Sequence, residues 1–225
     1  MKELEPKPTK PEISVWNSAE TQEFFAYAGE HSVRMEPLYR LAAATAMRRG
    51  EIGGLMWHHV GLEKDTVRVE QTRLYADGTA YVEKPKTASS LRTITTGPTG
   101  TSALLRAEAI QSADRQLLGE YWEDTGFVFT KEGGKPLHPD YITKRFQRDV
   151  KHSGVRRITF HGLRHTFATT AVAAGQNLKS VSEVLGHANP ETTIAIYTQY
   201  VPGMHSETVL KVASELFGDQ ESDEL

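Results

Sequence analysis

The hydrophobic period of this chain changes twice along its length, and few architectures accommodate both changes. Up to about residue 57, apolar side chains recur at helical spacing. Ser18 caps a predicted helix running through Phe24 and Phe25 towards His31, and a second spans Pro37 to Thr45 with Leu38, Leu41 and Ala42 on one face. A third runs from Arg49 to Trp57 and turns Ile52, Leu55 and Met56 inward. From Thr66 the period drops to two. Val67 and Val69, then Tyr81 and Val82, then Leu91 and Ile94 mark three short strands, with a strong turn signal at Asp77-Gly78 between the first two and a weaker one at Ala88-Ser89-Ser90.

After Gly97-Pro98 the helical period returns. One helix is predicted from Thr99 to Tyr121 with Leu104, Leu105, Ala109, Leu117 and Leu118 as its buried stripe, while Phe127-Val128-Phe129 is too short to assign. Further helices cover 139–152, 161–174, 178–185, 191–200 and 206–217, and they stop at Gly154, Gly175, Gly186, Gly203 and Gly218. The fold class is therefore α+β, mainly helical around a small three-stranded antiparallel sheet.

At 225 residues the chain can bury one substantial core, and a single large domain is the simpler reading. It has no cysteine, so neither a disulfide framework nor a thiolate metal site exists. With no apolar leader and no spanning-length apolar run, the prediction is a soluble, cytoplasmic protein with no membrane partner. The net charge of −3 hides an uneven distribution. The segment from Glu207 to Leu225 carries six acidic residues against Lys211, whereas Lys131 to His165 carries nine basic residues against Glu132, Asp140 and Asp149. A basic face with an acidic tail is compatible with a phosphate-bearing partner, although a solvated charged surface accounts for most such runs.

The side chains that could carry chemistry fall into a few short runs. His161 and Arg164 share one face of a helix start, where backbone N–H groups also attract anions. Arginine suits phosphate because its planar fork donates two hydrogen bonds to non-bridging oxygens. Arg48 and Glu51 are spaced so that the carboxylate can orient the guanidinium. Lys86 lies at the tip of the second predicted hairpin on a flexible stem, within reach of a leaving oxygen. Tyr197 is a poor nucleophile at its ordinary pKa of roughly 10, and only nearby cations or a base would activate it. Each taken alone reads as an ordinary surface or core residue. The spacing of His161, His165 and His187 also suits zinc, but Gly162 stands where a zincin helix has Glu, and Arg164 would set positive charge beside the metal.

In this order the residues resemble the catalytic domain of the tyrosine recombinases, the family of phage integrases, Xer-type resolving recombinases and Cre-like enzymes. The family pattern is Thr-Gly-x-Arg-x-x-Glu, a hairpin Lys, His-x-x-Arg, Leu-Gly-His and a later Tyr. Here it reads Thr45-Ala46-Met47-Arg48-Arg49-Gly50-Glu51, Lys86, His161-Gly162-Leu163-Arg164, Leu185-Gly186-His187 and Tyr197, with Ala46 departing from the usual Gly. The resemblance covers residues 15 to about 205, leaving 1–14 as a linker or tail and 206–225 as a C-terminal helix with an acidic tail, docking in cis or on a neighbouring protomer.

The resemblance implies that Tyr197 attacks a DNA phosphorus to give a 3′-phosphotyrosyl link, with Arg48, Arg164 and His187 around the phosphate and Glu51 in support. It further implies that Lys86 protonates the 5′ oxygen and His161 takes the tyrosine proton. It implies double-stranded DNA as partner, a monomer alone and a homotetramer on DNA, accessory recombination factors, and neither a cofactor nor a metal. Lys144, Arg145 and Arg148 are candidate DNA contacts on one helix. A phage integrase is the preferred subclass, and a Xer-like recombinase or a type IB topoisomerase-like strand transferase is the alternative. The family's usual core-binding domain does not fit into residues 1–14, which predicts that the chain is the C-terminal part of a longer recombinase.

Overall fold

The computed structural model describes residues 14–76, 78–83 and 91–186. Among these, seven α-helices surround short antiparallel strands. The helices are α1 (Ser18–His31), α2 (Glu36–Thr45), α3 (Arg49–Gly53), α4 (Gly97–Leu118), α5 (Pro139–Ser153), α6 (Phe160–Ala173) and α7 (Leu178–Leu185). The strands are β1 (Val60–Gly61), β2 (Thr66–Val69), β3 (Thr72–Ala76), β4 (Thr79–Glu83) and β5 (Arg92–Thr95).

The three-stranded sheet forms with the predicted strands of Val67 and Val69 and of Ile94, but β1 takes the place expected for the strand of Tyr81 and Val82. Its order is β1-β2-β5, with Val67 opposite Ile94 and Val69 opposite Arg92. β3 and β4 pair separately, and the turn at Gly78 joins these two rather than the strand of Val67 and Val69 to that of Tyr81. Alternation did not reveal β3, because its Thr-Arg-Leu-Tyr-Ala run buries neither face fully.

Other boundaries shift for local reasons. The N-cap of α1 is Asn17 rather than Ser18: its side chain accepts from the Glu20 N–H, and the Glu20 carboxylate accepts from the Asn17 N–H, both at 2.9 Å. α3 ends at Gly53, well short of Trp57, because Gly53-Gly54 stops the helix and Met56 then bridges to Phe127 in extended pairing. The α4 stripe is misassigned by apolar spacing. Leu105, Ala109 and Leu117 are exposed, and the buried face runs through Ala103, Leu104, Ala107, Gln111 and Asp114. Polar residues hold that face because each has partners. Gln111 accepts from the Trp57 indole and donates to the carbonyls of Phe127 and Val128, while Asp114 receives both Nη groups of Arg34.

α2 runs through the centre, packed on α4 and α6. Its Tyr39 joins Phe24, Phe146 and Phe160 in an aromatic cluster with ring centroids 5.2 to 6.4 Å apart. Trp16 closes this core against α6, its N–H bound to Thr166 Oγ1 and its indole donating to the Arg156 carbonyl at 2.7 Å. A second, smaller cluster of Ala46, Ala168, Val172, Val181 and Leu185 clamps α6 and α7 to the end of α2.

Two glycines test this packing. A Cβ at Gly50 would lie 2.5 Å from Thr72 Cγ2 and 3.0 Å from the Arg73 carbonyl, so α3 and β3 touch only because residue 50 lacks one. A Cβ at Gly29 in α1 meets nothing within 4 Å. Urea denaturation is expected to show Gly50→Ala losing about 1–3 kcal/mol and Gly29→Ala gaining roughly 0.5–1 kcal/mol from reduced unfolded-state entropy.

Candidate active site

The candidate site is built where α2 ends, α3 begins and α7 stops. After Thr45 the chain turns through Ala46 in the left-handed region (φ 53°, ψ 23°), buries Met47 and extends at Arg48 before α3 starts. This turn accounts for the family's usual Gly at position 46: the backbone there disfavours any Cβ, and alanine carries the smallest one. It also exposes the Ala46 carbonyl, which accepts from Arg164 Nη1 at 2.9 Å.

α7 supplies the second half. Its N-terminus is capped by Asn177, and it stops at Gly186 in the left-handed region (φ 63°), where a Cβ would lie 2.9 Å from an Arg92 nitrogen. The last carbonyls of the helix each receive a guanidinium. Arg92 Nε donates to Val184 at 2.9 Å, Arg164 Nη2 to Leu185 at 2.6 Å and Arg48 Nη2 to Gly186 at 3.0 Å. A helix C-terminus carries unsatisfied carbonyls and partial negative charge, so it is a natural seat for cations.

A single carboxylate joins two of these arginines. Glu51, only 4% exposed, accepts Arg48 Nη1 at 2.8 Å and Arg92 Nη1 at 3.1 Å on Oε1. Its Oε2 accepts the Arg48 backbone N–H at 2.8 Å and Arg92 Nη2 at 2.9 Å. Burial alone would raise its pKa, but the two guanidiniums and the backbone donor outweigh burial and hold it down at about 2. Among the described residues, three guanidiniums against one carboxylate leave a formal excess of +2, a setting that favours an anion.

His161 is exposed on the first turn of α6, one turn before the buried Arg164. Its ring meets His165 edge-on with centroids 4.6 Å apart. The His165 pKa is lowered by burial and then by the charge of Arg164, which favours the neutral ring beside His161. Thr159 caps α6 by accepting the Gly162 N–H, and Gly162 is needed because a Cβ would lie 2.9 Å from Ile158.

The structure thus brings Arg48, Glu51 and Arg164 together around the end of α7, with His161 on the same helix as Arg164. Lys86, His187 and Tyr197 lie outside the described residues. The other basic candidates sit on α5. Lys144 and Arg148 are exposed, whereas Arg145 binds Asp149 at 3.0 Å and Ser32 Oγ at 2.6 Å, tying α5 to the end of α1. Arg92 is the site residue that sequence reasoning missed. The available signal was strand phase: Leu91 is 53% exposed and Ile94 is buried, so Arg92 shares the inner face with Ile94 and its side chain is only 8% exposed.

Among the described residues no group of three or more His, Asp or Glu is arranged to hold a metal, and no helix is long and apolar enough to cross a membrane. Glu51 makes stability pH-dependent. A carboxylate with a depressed folded pKa contributes stability that is complete above its unfolded value of roughly 4.3 and is lost as pH falls through the folded value. Denaturant titrations from pH 6 to pH 2 are expected to show the native chain losing on the order of 2–3 kcal/mol more than Glu51→Gln.

Comparison with known proteins places this geometry. A tyrosine recombinase XerC-like protein of Caldanaerobacter subterraneus subsp. tengcongensis is 32% identical over 199 residues, covering 82% of this chain and 50% of that protein. The ICEBs1 integrase of Bacillus subtilis is 23% identical over 204 residues, covering 91% of this chain and 55% of that protein. The chain therefore spans about half the length of these curated relatives. In fold it is similar to the Tn1549 transposon integrase solved in complex with a circular intermediate DNA, with TM-score 0.77, 22% identity, and 92% of this chain and 67% of that one covered. It is also similar to the XerA recombinase, with TM-score 0.63, 20% identity, and 94% and 67% covered. The sequence profile of the phage integrase family matches residues 15–202, and the chain belongs to that family of tyrosine recombinases.

Proposed function

We propose that this chain is the catalytic domain of a site-specific DNA recombinase of the integrase type, which breaks and rejoins double-stranded DNA through a 3′-phosphotyrosyl intermediate. The observation that carries the reading is the excess of guanidinium over carboxylate, among the described residues, at the end of α7, directly before His187, which stands ten residues before Tyr197 in the sequence. Arg48 and Arg164 hold the non-bridging oxygens of the scissile phosphate and stabilise charge on the pentacoordinate transition state, aided by a hydrogen bond from His187. Tyr197 Oη forms the bond to phosphorus as the bond to the 5′ oxygen breaks. His161 takes the phenolic proton, and Lys86 delivers a proton to the leaving oxygen. Attack by the 5′-hydroxyl of a partner strand reverses these steps and exchanges strands.

In this reading residues 15–205 form the catalytic domain, 1–14 lead into it, and 206–225 dock on it or on a neighbouring protomer. Lys144 and Arg148 contact DNA while Arg145 holds α5 against the end of α1, and the protein acts in a bacterial cytoplasm as a monomer that becomes a homotetramer on DNA, with accessory factors directing it. The XerC-like relative favours a second reading, a resolving recombinase. Recombination between two identical sites supports that reading, and joining of two different attachment sites supports the integrase.

The test is covalent trapping on nicked duplex DNA built on a sequence the protein selects from a randomised pool. Native protein is expected to give a protein–DNA adduct on a denaturing gel, and Tyr197→Phe none. An adduct that persists in Tyr197→Phe overturns the assignment of the nucleophile. Arg48→Ala is expected to slow adduct formation about 10²–10³-fold, the usual loss for one donor to a developing oxyanion. EDTA is expected to leave cleavage unchanged, and loss in EDTA with rescue by zinc overturns the metal-free mechanism.

A further inference from the structure

We infer that Arg92 is a positioning residue for phosphate capture, acting through Glu51 to set the guanidinium of Arg48 and the carbonyl end of α7. The inference rests on the reading above and extends it to a side chain on a different element, β5. Arg92 has all three of its guanidinium nitrogens engaged: Nη1 and Nη2 grip the two oxygens of Glu51, and Nε holds the Val184 carbonyl. Its bonds run to Glu51 and the Val184 carbonyl, and Glu51 in turn holds Arg48, whose side chain is 38% exposed, so Arg92 is placed to orient Arg48.

The consequence follows from counting acceptors on Glu51. Arg92 occupies both carboxylate oxygens, and Arg48 reaches Oε1 with Nη1 alone while its Nη2 goes to the Gly186 carbonyl. Without Arg92, a buried carboxylate would be left, among the described residues, with Arg48 as its side-chain partner. Planar guanidinium and carboxylate groups favour the two-bond pairing, so Arg48 would turn onto Glu51 and away from an incoming phosphate. The charged groups around Glu51 in the described residues are Arg48 from the start of α3 and Arg92 from β5, with Arg164 of α6 bound to the neighbouring Leu185 and Ala46 carbonyls. Lysine at position 92 keeps the charge but has neither the fork nor Nε. Arg92 also stands six residues after Lys86 in sequence, so the strand that leaves the lysine segment is the one anchored to the arginine cluster.

The experiment compares Arg92→Lys, Arg92→Gln, Glu51→Gln and the double variant Arg92→Gln with Glu51→Gln, all in the full chain and checked for folding by circular dichroism. One arm measures single-turnover adduct formation on the selected nicked duplex, and the other measures orthovanadate affinity by calorimetry without DNA. Arg92→Lys is expected to cut the rate at saturating DNA about 30-fold or more while shifting the half-saturating DNA concentration less than about twofold, and to weaken vanadate about tenfold. A residue that merely stabilised the fold would leave both readouts of the folded variant unchanged. The double variant is expected to be no worse than Glu51→Gln alone, since Arg92 acts through that carboxylate.

Native-like rate and vanadate affinity in Arg92→Lys overturn the inference, as does a double variant whose loss is the product of the two single losses. If Arg92→Lys does not fold, the double variant, which removes both buried charges together, decides: vanadate affinity equal to the native chain overturns the inference. If native protein forms no adduct, the proposed function fails on its own, and the vanadate arm still decides the role of Arg92. Absence of vanadate binding by the native chain overturns the role as well.

Discussion

One buried carboxylate holds the candidate site together. Glu51 is the shared partner of Arg48 and Arg92, and through them it is joined to the C-terminal carbonyls of α7. A buried charge is tolerated only when paired and hydrogen-bonded, and here each oxygen receives two donors. The same arrangement leaves positive charge over. Among the described residues one carboxylate and a helix end face three guanidiniums, an electrostatic setting that favours an anion. Holding cations in place before the anion arrives is the condition under which such groups stabilise a transition state most effectively, because little reorganisation is left for the reaction itself.

Backbone geometry makes this possible at two points. Ala46 and Gly186 both take left-handed conformations where α2 and α7 end, and both offer carbonyls to site arginines. The small apolar cluster of Ala46, Ala168, Val172, Val181 and Leu185 lies directly behind them and fixes α6 and α7 relative to the α2 turn. Packing and chemistry therefore share residues: Ala46 is at once a core methyl, a strained turn and the acceptor for Arg164.

Much of the site was legible in the sequence because its parts are local. Arg48 with Glu51 and His161 with Arg164 each lie three residues apart at a helix start, and the structure shows the first pair bonded at 2.8 Å. Strand phase puts Arg92 on the inner face with Ile94, but nothing nearby in sequence says that it will find its carboxylate 41 residues away. The misread α4 stripe has the same origin. Gln111 and Asp114 look like surface residues until Trp57, the carbonyls of Phe127 and Val128, and Arg34 arrive from other parts of the chain. Leu117, by contrast, looks buried and is 83% exposed, because no element covers that face among the described residues.

The helices expected over 191–200 and 206–217 lie outside the described residues. Among the described residues the sequence by itself determined the helical character of the chain, the stops at Gly154, Gly175 and Gly186, the presence of a small sheet and the pairing of Arg48 with Glu51. These rest on short-range rules: helical and strand periods, caps, and the absence of a Cβ. Tertiary structure decided which strands pair, which arginines converge and which of them is buried, because those outcomes depend on partners far apart along the chain. The pairing of β2 with β5 instead of with the next strand is the clearest case. It brings Arg92 to Glu51, while the local turn at Gly78 closes the separate pair β3 and β4.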